Sequence, residues 1–212
     1  MTGQDRGVRP LRRDAVRNQR QIVDAARQVV SEAGTDASME LIASRAGVGV
    51  GTVYRHFPGK QALVDELIRL IHDEHIDAAR RALARGDGTG LEEFLRALGG
   101  SLSEHRGYGN QLISRTSASH ADRLRELVAE LLAQAQEHRR VRPDITLGDV
   151  MTTVWAIRGI ITTSGSAAPH AWARHLDIQL AGMRSTTRPS DRPEVTVQEL
   201  MRISGANRDP DT

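Results

Sequence analysis

The 212-residue chain contains no cysteine, and this absence excludes several classes of site. Without a thiol there is no disulfide framework, no thiolate-ligated zinc and no cysteine nucleophile. Aromatic side chains are also scarce, with two residues each of Trp, Tyr and Phe. We therefore expect any ligand cavity to be lined mainly by aliphatic and polar side chains rather than by an aromatic cage.

Long apolar runs are missing as well. The strongest one, VWAIRGII at 154–161, is interrupted by Arg158 and falls well short of the ~18 to 20 residues of a membrane-spanning helix. The N-terminal segment is charged from Asp5 onward and lacks the apolar centre of a secretory signal. These absences predict a cytoplasmic protein with no membrane partner.

Lysine is almost absent, since Lys60 is the only one among 29 basic residues. Residues 1–60 carry ten basic and six acidic side chains, a net charge of +4, whereas the remainder carries nineteen and twenty-one, a net charge of −2. Arginine binds phosphate or guanine with a planar, two-pronged guanidinium. The basic N-terminal part is therefore expected to meet a polyanion, although coding bias in a GC-rich genome would produce the same arginine excess.

Helical periodicity is the main pattern of the sequence. Apolar residues recur at three- and four-residue steps almost throughout, and no strand-like alternation competes with them, so the pattern predicts an all-α fold. The predicted helices run from an N-cap at Asp14 to about 33, then over about 39–45, 49–56 and 58–85. The apolar pattern continues with Phe94, Leu98 and Leu102, then a short segment near 108–117, and further helices are predicted over about 122–140, 146–164 and 170–184. The tail from Ser185 is rich in Pro, Asp and Arg and is predicted to be disordered, with TVQELMRI at 196–203 as a possible single helical turn.

The segment AGVGVGTVYRHFPGK at 46–60 is rich in glycine and ends on a lysine, as phosphate-binding loops do. A Walker A loop is excluded, because Tyr54 stands where its first glycine belongs and Gln61 where it needs Ser or Thr. A dinucleotide fingerprint is excluded because Thr52 replaces its third glycine and a helix, not a strand, precedes it. Two short helices joined by a turn at Gly47 instead predict a helix-turn-helix.

The side chains of this predicted helix-turn-helix separate into buried and outward sets. Small or compact residues permit the two helices to cross closely (Ala43, Ala46 and Val48), and apolar residues form the seam beneath them (Ile42, Val53 and Phe57). The polar residues that remain can grip phosphate (Thr52, Tyr54, Arg55, His56 and Lys60). The alternative is a helical hairpin whose polar residues are simply solvated.

At these residues the chain resembles the TetR family of bacterial transcriptional regulators. The similarity runs from Gln21 to Ile68, and GTVYRHFPGK at 51–60 is its most specific part. The resemblance implies an all-helical homodimer in which three N-terminal helices bind a palindromic double-stranded DNA operator. It also implies a C-terminal domain that holds a small-molecule inducer and contributes its last two long helices to the dimer interface. The implied divisions are a flexible basic arm (1–13), the helix-turn-helix DNA-binding domain (14–60), the ligand-binding and dimerisation domain (61–184) and a disordered tail (185–212).

The resemblance also implies roles for single residues. Backbone-phosphate contacts fall on Ser38, Thr52, Tyr54, His56 and Lys60, and the base-facing side comprises Val50, Gly51 and Arg55. Gly49 and Val50 depart from the family pattern, which commonly has a serine cap and then a polar residue. Val50 can pack only on a thymine methyl, whereas Arg55 can bind guanine bidentately. Gly49 and Gly51 weaken the short helix by about 1 kcal/mol each relative to alanine, so we expect it to stiffen on DNA.

The remaining candidate sites are weaker. An inducer cavity is predicted among the C-terminal helices, although most of its candidate residues would also suit a plain core: His75, Phe94, Leu98, Leu102, Leu112, Met151, Trp155 and Arg158. Arg158, inside an apolar run, must be paired with a carboxylate, a ligand or interface solvent. The arginine-rich arm RGVRPLRRDAVRNQR at 6–20 either enters a minor groove and follows phosphates or carries solvated charge.

Enzymatic and metal-binding alternatives find little support. His72 and His75 are spaced by three residues without a third ligand, which is more typical of a solvated helix face. GGSLS at 99–103 lacks the strand and the last glycine of a nucleophile elbow. We therefore expect no catalytic residue, metal or cofactor. The leading hypothesis is an inducer-released homodimeric repressor that associates with the nucleoid when bound to DNA; the alternative is a helical ligand-binding or interaction protein that has lost DNA binding.

Overall fold

The computed structural model of the protein describes residues 8–34, 36–108, 115, 117–184, 190 and 192–206, without the side chains of 8–13, 108 and 204–206. Within these residues the fold is all helical, which confirms the expected class. The nine helices described are α1 (Val8–Ala33), α2 (Met39–Ala46), α3 (Val50–His56), α4 (Lys60–Leu83), α5 (Gly90–Glu104), α6 (Ala118–Glu137), α7 (Leu147–Ser164), α8 (Ala171–Arg184) and α9 (Val197–Ala206). A single 3-10 turn, Arg106–Tyr108, follows α5. In the described part of the chain, no helix has the length and apolarity needed to cross a membrane.

The chain divides into two compact units, residues 1–69 and 70–212, and α4 runs from the first into the second. In the first unit α1 packs against α2 and α3. Its core contains the predicted apolar seam, with Ile42, Val53 and Phe57 at 5% exposure or less. A bidentate pair from Arg45 of α2 to Glu32 of α1, with N–O distances of 3.3 and 3.0 Å, joins the two helices at the surface.

The N-terminus of α1 differs from the prediction. The helix begins at Val8 rather than after an N-cap at Asp14, so residues 8–13 of the predicted flexible arm are helical. Pro10 is the third residue of the helix, where a backbone N–H has no partner within the helix, so a proline costs no hydrogen bond there. Asp14 instead forms an ion pair at 3.4 Å with Arg17. The rest of the predicted arm, 1–7, lies outside the described residues.

The second unit is built around one core from α4 to α8. Its largest fully buried side chains include Phe94, Leu95 and Leu131. Gly99 of α5 is in contact with Trp172 of α8, and a Cβ at Gly99 would clash with that indole ring, so this glycine permits the close approach.

Helix α6 is shifted from its predicted range of 122–140. Ser117 caps it, because the Ser117 Oγ accepts a hydrogen bond from the backbone N–H of His120 at 3.2 Å. The helix ends before Arg139, whose φ of 54° is left-handed. The short segment predicted near 108–117 lies mostly outside the described residues.

The predicted disordered tail also needs correction, because residues 197–206 form α9. The Thr196 Oγ1 accepts a hydrogen bond from the Glu199 N–H at 3.2 Å, and the Glu199 carboxylate accepts one from the Thr196 N–H at 2.9 Å. This reciprocal capping box stabilises the first turn of a helix. Leu200 is 1% exposed, and the Val195 carbonyl oxygen lies against Gly148 at the start of α7. Local capping and the burial of one leucine thus outweigh the polar composition of the tail.

Candidate functional site

The turn between α2 and α3 has the geometry of a helix-turn-helix. Gly47 ends α2 with a left-handed φ of 68°, which glycine adopts without strain. The Gly47 N–H donates to the Ser44 carbonyl at 3.2 Å, and the Val48 N–H donates to the Ala43 carbonyl at 3.1 Å. These bonds satisfy the carbonyls at the end of α2, so the chain can turn sharply into α3.

Two of the predicted DNA-contacting residues begin helices. The Ser38 Oγ accepts a hydrogen bond from the Leu41 N–H at 3.2 Å and so caps α2, which leaves the Ser38 hydroxyl hydrogen able to donate to a phosphate. Gly49 is the N-cap of α3, as predicted, and makes no side-chain capping bond. The first turn of α3 is therefore held by backbone bonds alone, such as that from the Thr52 N–H to the Gly49 carbonyl at 2.8 Å.

The outward side of α3, together with Lys60, forms what we call the α3 surface. It comprises exposed residues (Val50, Gly51, Tyr54 and Arg55) and half-buried ones (Thr52, His56 and Lys60). Val53 alone on this helix is fully buried. Within the described part of the chain, no hydrogen bond or ion pair engages the side chains of Tyr54, Arg55 or Lys60. The α3 surface therefore presents donors and a base-sized apolar area to solvent, as a nucleic-acid contact requires.

Leu41 is one exposed residue of this region that the sequence analysis did not name. It lies on α2 and is 44% exposed, close to the 46% of Tyr54 and the 38% of Val50. The apolar periodicity of α2 gave no means to separate an exposed leucine from a core one, because Leu41 adjoins the buried Ile42 in sequence.

The second unit contains a cavity of about 180 Å³ among α4 to α7. Seven of the eight predicted ligand-contacting residues line it, namely His75, Phe94, Leu98, Leu102, Met151, Trp155 and Arg158. The eighth, Leu112, lies outside the described residues. The other lining residues were not predicted from the sequence: His72, Ile76, His120, Ala121, Leu124, Arg125, Val128 and Val154.

The histidines of the cavity wall are engaged by protein side chains. The His75 Nε2 lies 2.8 Å from the Ser101 Oγ, and burial, followed by the nearby His72 and His105, lowers the pKa of His75 to about 4. His75 is therefore neutral at pH 7. The His120 Nε2 lies 2.9 Å from an Asp73 carboxylate oxygen.

The two arginines of the cavity wall differ in their partners. The Arg125 guanidinium pairs with Asp122 at 2.6 Å. Arg158 is half-buried, and burial lowers its pKa. No carboxylate lies within ion-pair distance of Arg158 in the described residues. Of the three partners that the sequence left open for Arg158, these residues do not supply the carboxylate.

Three histidine rings of the cavity wall lie near one another. The His72 ring centroid lies 6.3 Å from that of His75 and 5.9 Å from that of His120. In the part of the chain that is described, no three His, Asp or Glu side chains are placed to hold an ion. The cavity is lined by apolar residues together with three histidines and two arginines.

Two models of known protein families match the chain, one within each unit. The family model for bacterial regulatory proteins of the tetR family matches residues 22–67, and that for the C-terminal domain of SbtR-like transcriptional regulators matches residues 87–185. Among solved structures, a TetR transcription regulatory protein from Mycobacterium vanbaalenii is 32% identical, with a TM-score of 0.58, over 83% of this chain and 100% of that one. A TetR transcriptional regulator from Streptomyces coelicolor is 28% identical, with a TM-score of 0.62, over 79% of this chain and 98% of that one.

Curated relatives match a shorter region. The HTH-type transcriptional regulator BetI of Klebsiella pneumoniae is 33% identical over 100 residues, which are 46% of this chain and 48% of that protein. The chain thus spans about half the length of the curated relatives it matches. The matched families and relatives are transcriptional regulators rather than enzymes. With the helix-turn-helix geometry and the similarity across both units, the chain belongs to the TetR family of transcriptional regulators and carries its DNA-binding helix-turn-helix.

Proposed function

We propose that this protein is a homodimeric repressor that binds a palindromic DNA operator and is released by a small-molecule inducer. The observation that carries the proposal is the α3 surface, whose Tyr54, Arg55 and Lys60 side chains have no partner in the described protein. An exposed set of donors on a helix-turn-helix is what a phosphate backbone needs. The cavity in the second unit is the proposed binding site of the inducer.

The residues of the α3 surface take two roles in the proposal. Side chains at the margin hold the sugar–phosphate backbone, together with Ser38 at the start of α2: Thr52, Tyr54, His56 and Lys60. Val50, Gly51 and Arg55 face the major groove. Arg55 reads guanine with about 1–3 kcal/mol of discrimination, and Val50 packs on a thymine methyl. Few direct base contacts therefore set the specificity.

Helices α7 and α8 provide the surface for a second copy. Ile178 of α8 is 58% exposed and could pack against a second copy. Gly159 of α7 and Gly182 of α8 have open space where a Cβ would lie, so another backbone can approach there. A symmetric pair places two α3 helices in successive major grooves, about 34–36 Å apart.

Release by the inducer acts through the spacing of the two reading helices. A ligand that binds the cavity favours the state of the dimer whose α3 helices no longer match the groove spacing. The regulator then acts at the nucleoid only while the cavity is empty.

Operator binding is tested by gel shift with the full chain after bound fragments are selected from genomic DNA. Tyr54→Ala and Lys60→Ala should weaken binding to all sequences, and the Lys60 change should reduce the slope of log affinity against log salt by about 1. Arg81→Ala is the matched control, because it removes one exposed positive charge near the far end of α4. It should leave both quantities unchanged.

Two results would contradict the proposal. Selection that returns no palindromic fragment, or variants at Tyr54 and Lys60 that bind like the parent, would favour the alternative of a helical ligand-binding or interaction protein that no longer binds DNA. Gly51 inside α3, which lowers its helix propensity, and the N-cap without a side chain at Gly49 are the observations that keep this alternative in view.

A further inference from the structure

The cavity wall combines an apolar body with charge of one sign. Its apolar residues come from α4, α5, α6 and α7 and include Phe94, Leu98, Met151 and Trp155. Its ionisable residues are three histidines and two arginines, and no Asp or Glu is part of the described lining. A ligand for this wall therefore needs an apolar body and a group that is compatible with positive charge.

Every ionisable group of the wall except Arg158 has an identified interaction with another group of the protein. Asp122 neutralises Arg125, and Asp73 lies against His120. His75 is neutral and bonded to Ser101. His72 has interactions of its own within the protein. Arg158 is the group whose charge finds no carboxylate in the described residues, and it is half-buried.

Arg158 stands at one end of an apolar stripe on α7. Met151, Val154, Trp155 and Arg158 are spaced i, i+3, i+4 and i+7, so they share one face of the helix, and all four line the cavity. Seven residues of helix rise about 10 Å from Met151 to Arg158. A ligand that lies along this stripe thus has an apolar body of about that length and an anionic head at Arg158.

We propose that the cavity selects amphipathic monocarboxylates, with the carboxylate paired to the Arg158 guanidinium and a linear apolar body of about eight carbons along Met151, Val154 and Trp155. A half-buried guanidinium without a counter-ion is costly, and a carboxylate matches its two parallel N–H donors. The inference rests on the proposed function in using the same cavity, and it specifies the chemical class of the inducer.

The test is isothermal titration calorimetry of the full chain with hexanoate, octanoate and decanoate, and with octanol and octylamine as probes of equal chain length but different head. We expect octanoate to bind at least tenfold more tightly than octanol or octylamine. Arg158→Gln should reduce octanoate affinity at least tenfold while octanol affinity changes less than threefold, and that unchanged octanol binding shows that the cavity is intact. The octanoate affinity of Arg158→Lys should lie between that of the parent and that of Arg158→Gln.

Arg81→Gln is the matched control, since it removes an exposed arginine that does not line the cavity. It should bind octanoate within threefold of the parent. The inference is overturned if no carboxylate binds, if octanol or octylamine binds as tightly as octanoate, or if Arg158→Gln binds octanoate like the parent. Operator release is measured separately: octanoate that binds through Arg158 but leaves the operator complex intact contradicts induction and not the ligand class.

Discussion

His75 shows how its surroundings decide the charge of one side chain. It is 6% exposed, its Nε2 is bonded to the Ser101 Oγ, and its ring lies near His72. Burial penalises the imidazolium, and the neighbouring imidazoles add to the penalty, so the pKa falls from 6.5 to about 4. His75, whose spacing from His72 was expected to mark a solvated helix face rather than a metal site, is instead a buried, neutral hydrogen-bonding group of the cavity wall.

This assignment predicts an acid-labile fold. Between pH 6.5 and 4 the unfolded chain binds a proton at His75 that the folded chain does not, so the free energy of unfolding falls as the pH is lowered. The loss from pH 7 to pH 4.5 should be about 2–3 kcal/mol from this group. Urea unfolding of the parent and of His75→Gln measures it, and the variant should lack this part of the pH dependence.

Parallel pH profiles for the parent and His75→Gln would show that His75 is not buried in a neutral state.

Arg158 illustrates what a single residue type reveals in a sequence. An arginine inside an apolar run needs a partner, and this requirement follows from the cost of burying a charge. Its membership of a cavity wall depends on α4, α5 and α6, which the run VWAIRGII does not contain. The need of Arg158 for a partner could be predicted from the sequence, whereas the residues that surround it could not.

Helix α3 has a local sequence that works against its own stability. It has seven residues, an N-cap without a side chain at Gly49 and a second glycine at position 51. No atom lies within 4 Å of a Cβ built on Gly51. The low propensity of this helix is therefore not imposed by packing, and we attribute it to the approach of a DNA base.

Gly51→Ala should stabilise the free protein. Alanine adds helix propensity of about 0.5–1 kcal/mol at an open position, so the melting temperature should rise. The same change should weaken operator binding if a base approaches Gly51, as measured by gel shift. Gly47→Ala is the opposing control, since the φ of 68° at Gly47 makes a side chain there unfavourable and the melting temperature should drop. A lower melting temperature for Gly51→Ala would contradict the interpretation.

Helix α9 shows a local signal that composition concealed. The tail from 185 onward reads as disordered because it is polar, yet Thr196 and Glu199 have the spacing of a capping box. That spacing is visible in the sequence and predicts a helix start. Its docking was not visible, since it requires a glycine at position 148 for the close approach of the Val195 carbonyl.

Gly148→Ala should release α9 without unfolding the rest of the second unit. The added Cβ meets the Val195 carbonyl oxygen, so the segment 192–206 must move away from α7. Hydrogen exchange should become faster at 197–203 and stay unchanged in α5 and α6. Gly100→Ala is the control, because no atom lies within 4 Å of a Cβ there. Unchanged protection of 197–203 in Gly148→Ala would show that α9 does not depend on this contact.

For the dimer as a unit, the proposed mechanism requires that the inducer change the distance between the two DNA-binding domains. The chain has no cysteine, so Ser44→Cys on the exposed side of α2 accepts one spin label per protomer without background. Pulsed electron paramagnetic resonance should give one label-to-label distance with the operator and a different one with octanoate. Identical distances in the two states would contradict release by a change in spacing, whatever the affinity of octanoate.

Local interactions explain what could be read from the sequence: the all-helical class, the turn at Gly47, the buried seam and the outward residues of α3. These features follow from helical periodicity and from the backbone freedom of glycine, which act over a few residues. The interactions of the charged and polar groups in the cavity wall depend instead on contacts between residues far apart in the sequence. The Asp73–His120 and His75–Ser101 contacts join residues 47 and 26 positions apart. Only tertiary packing brings such groups together, whereas the Arg125–Asp122 pair is local to α6. Tertiary packing also places Arg158 in the cavity wall, where the described residues offer no carboxylate within ion-pair distance.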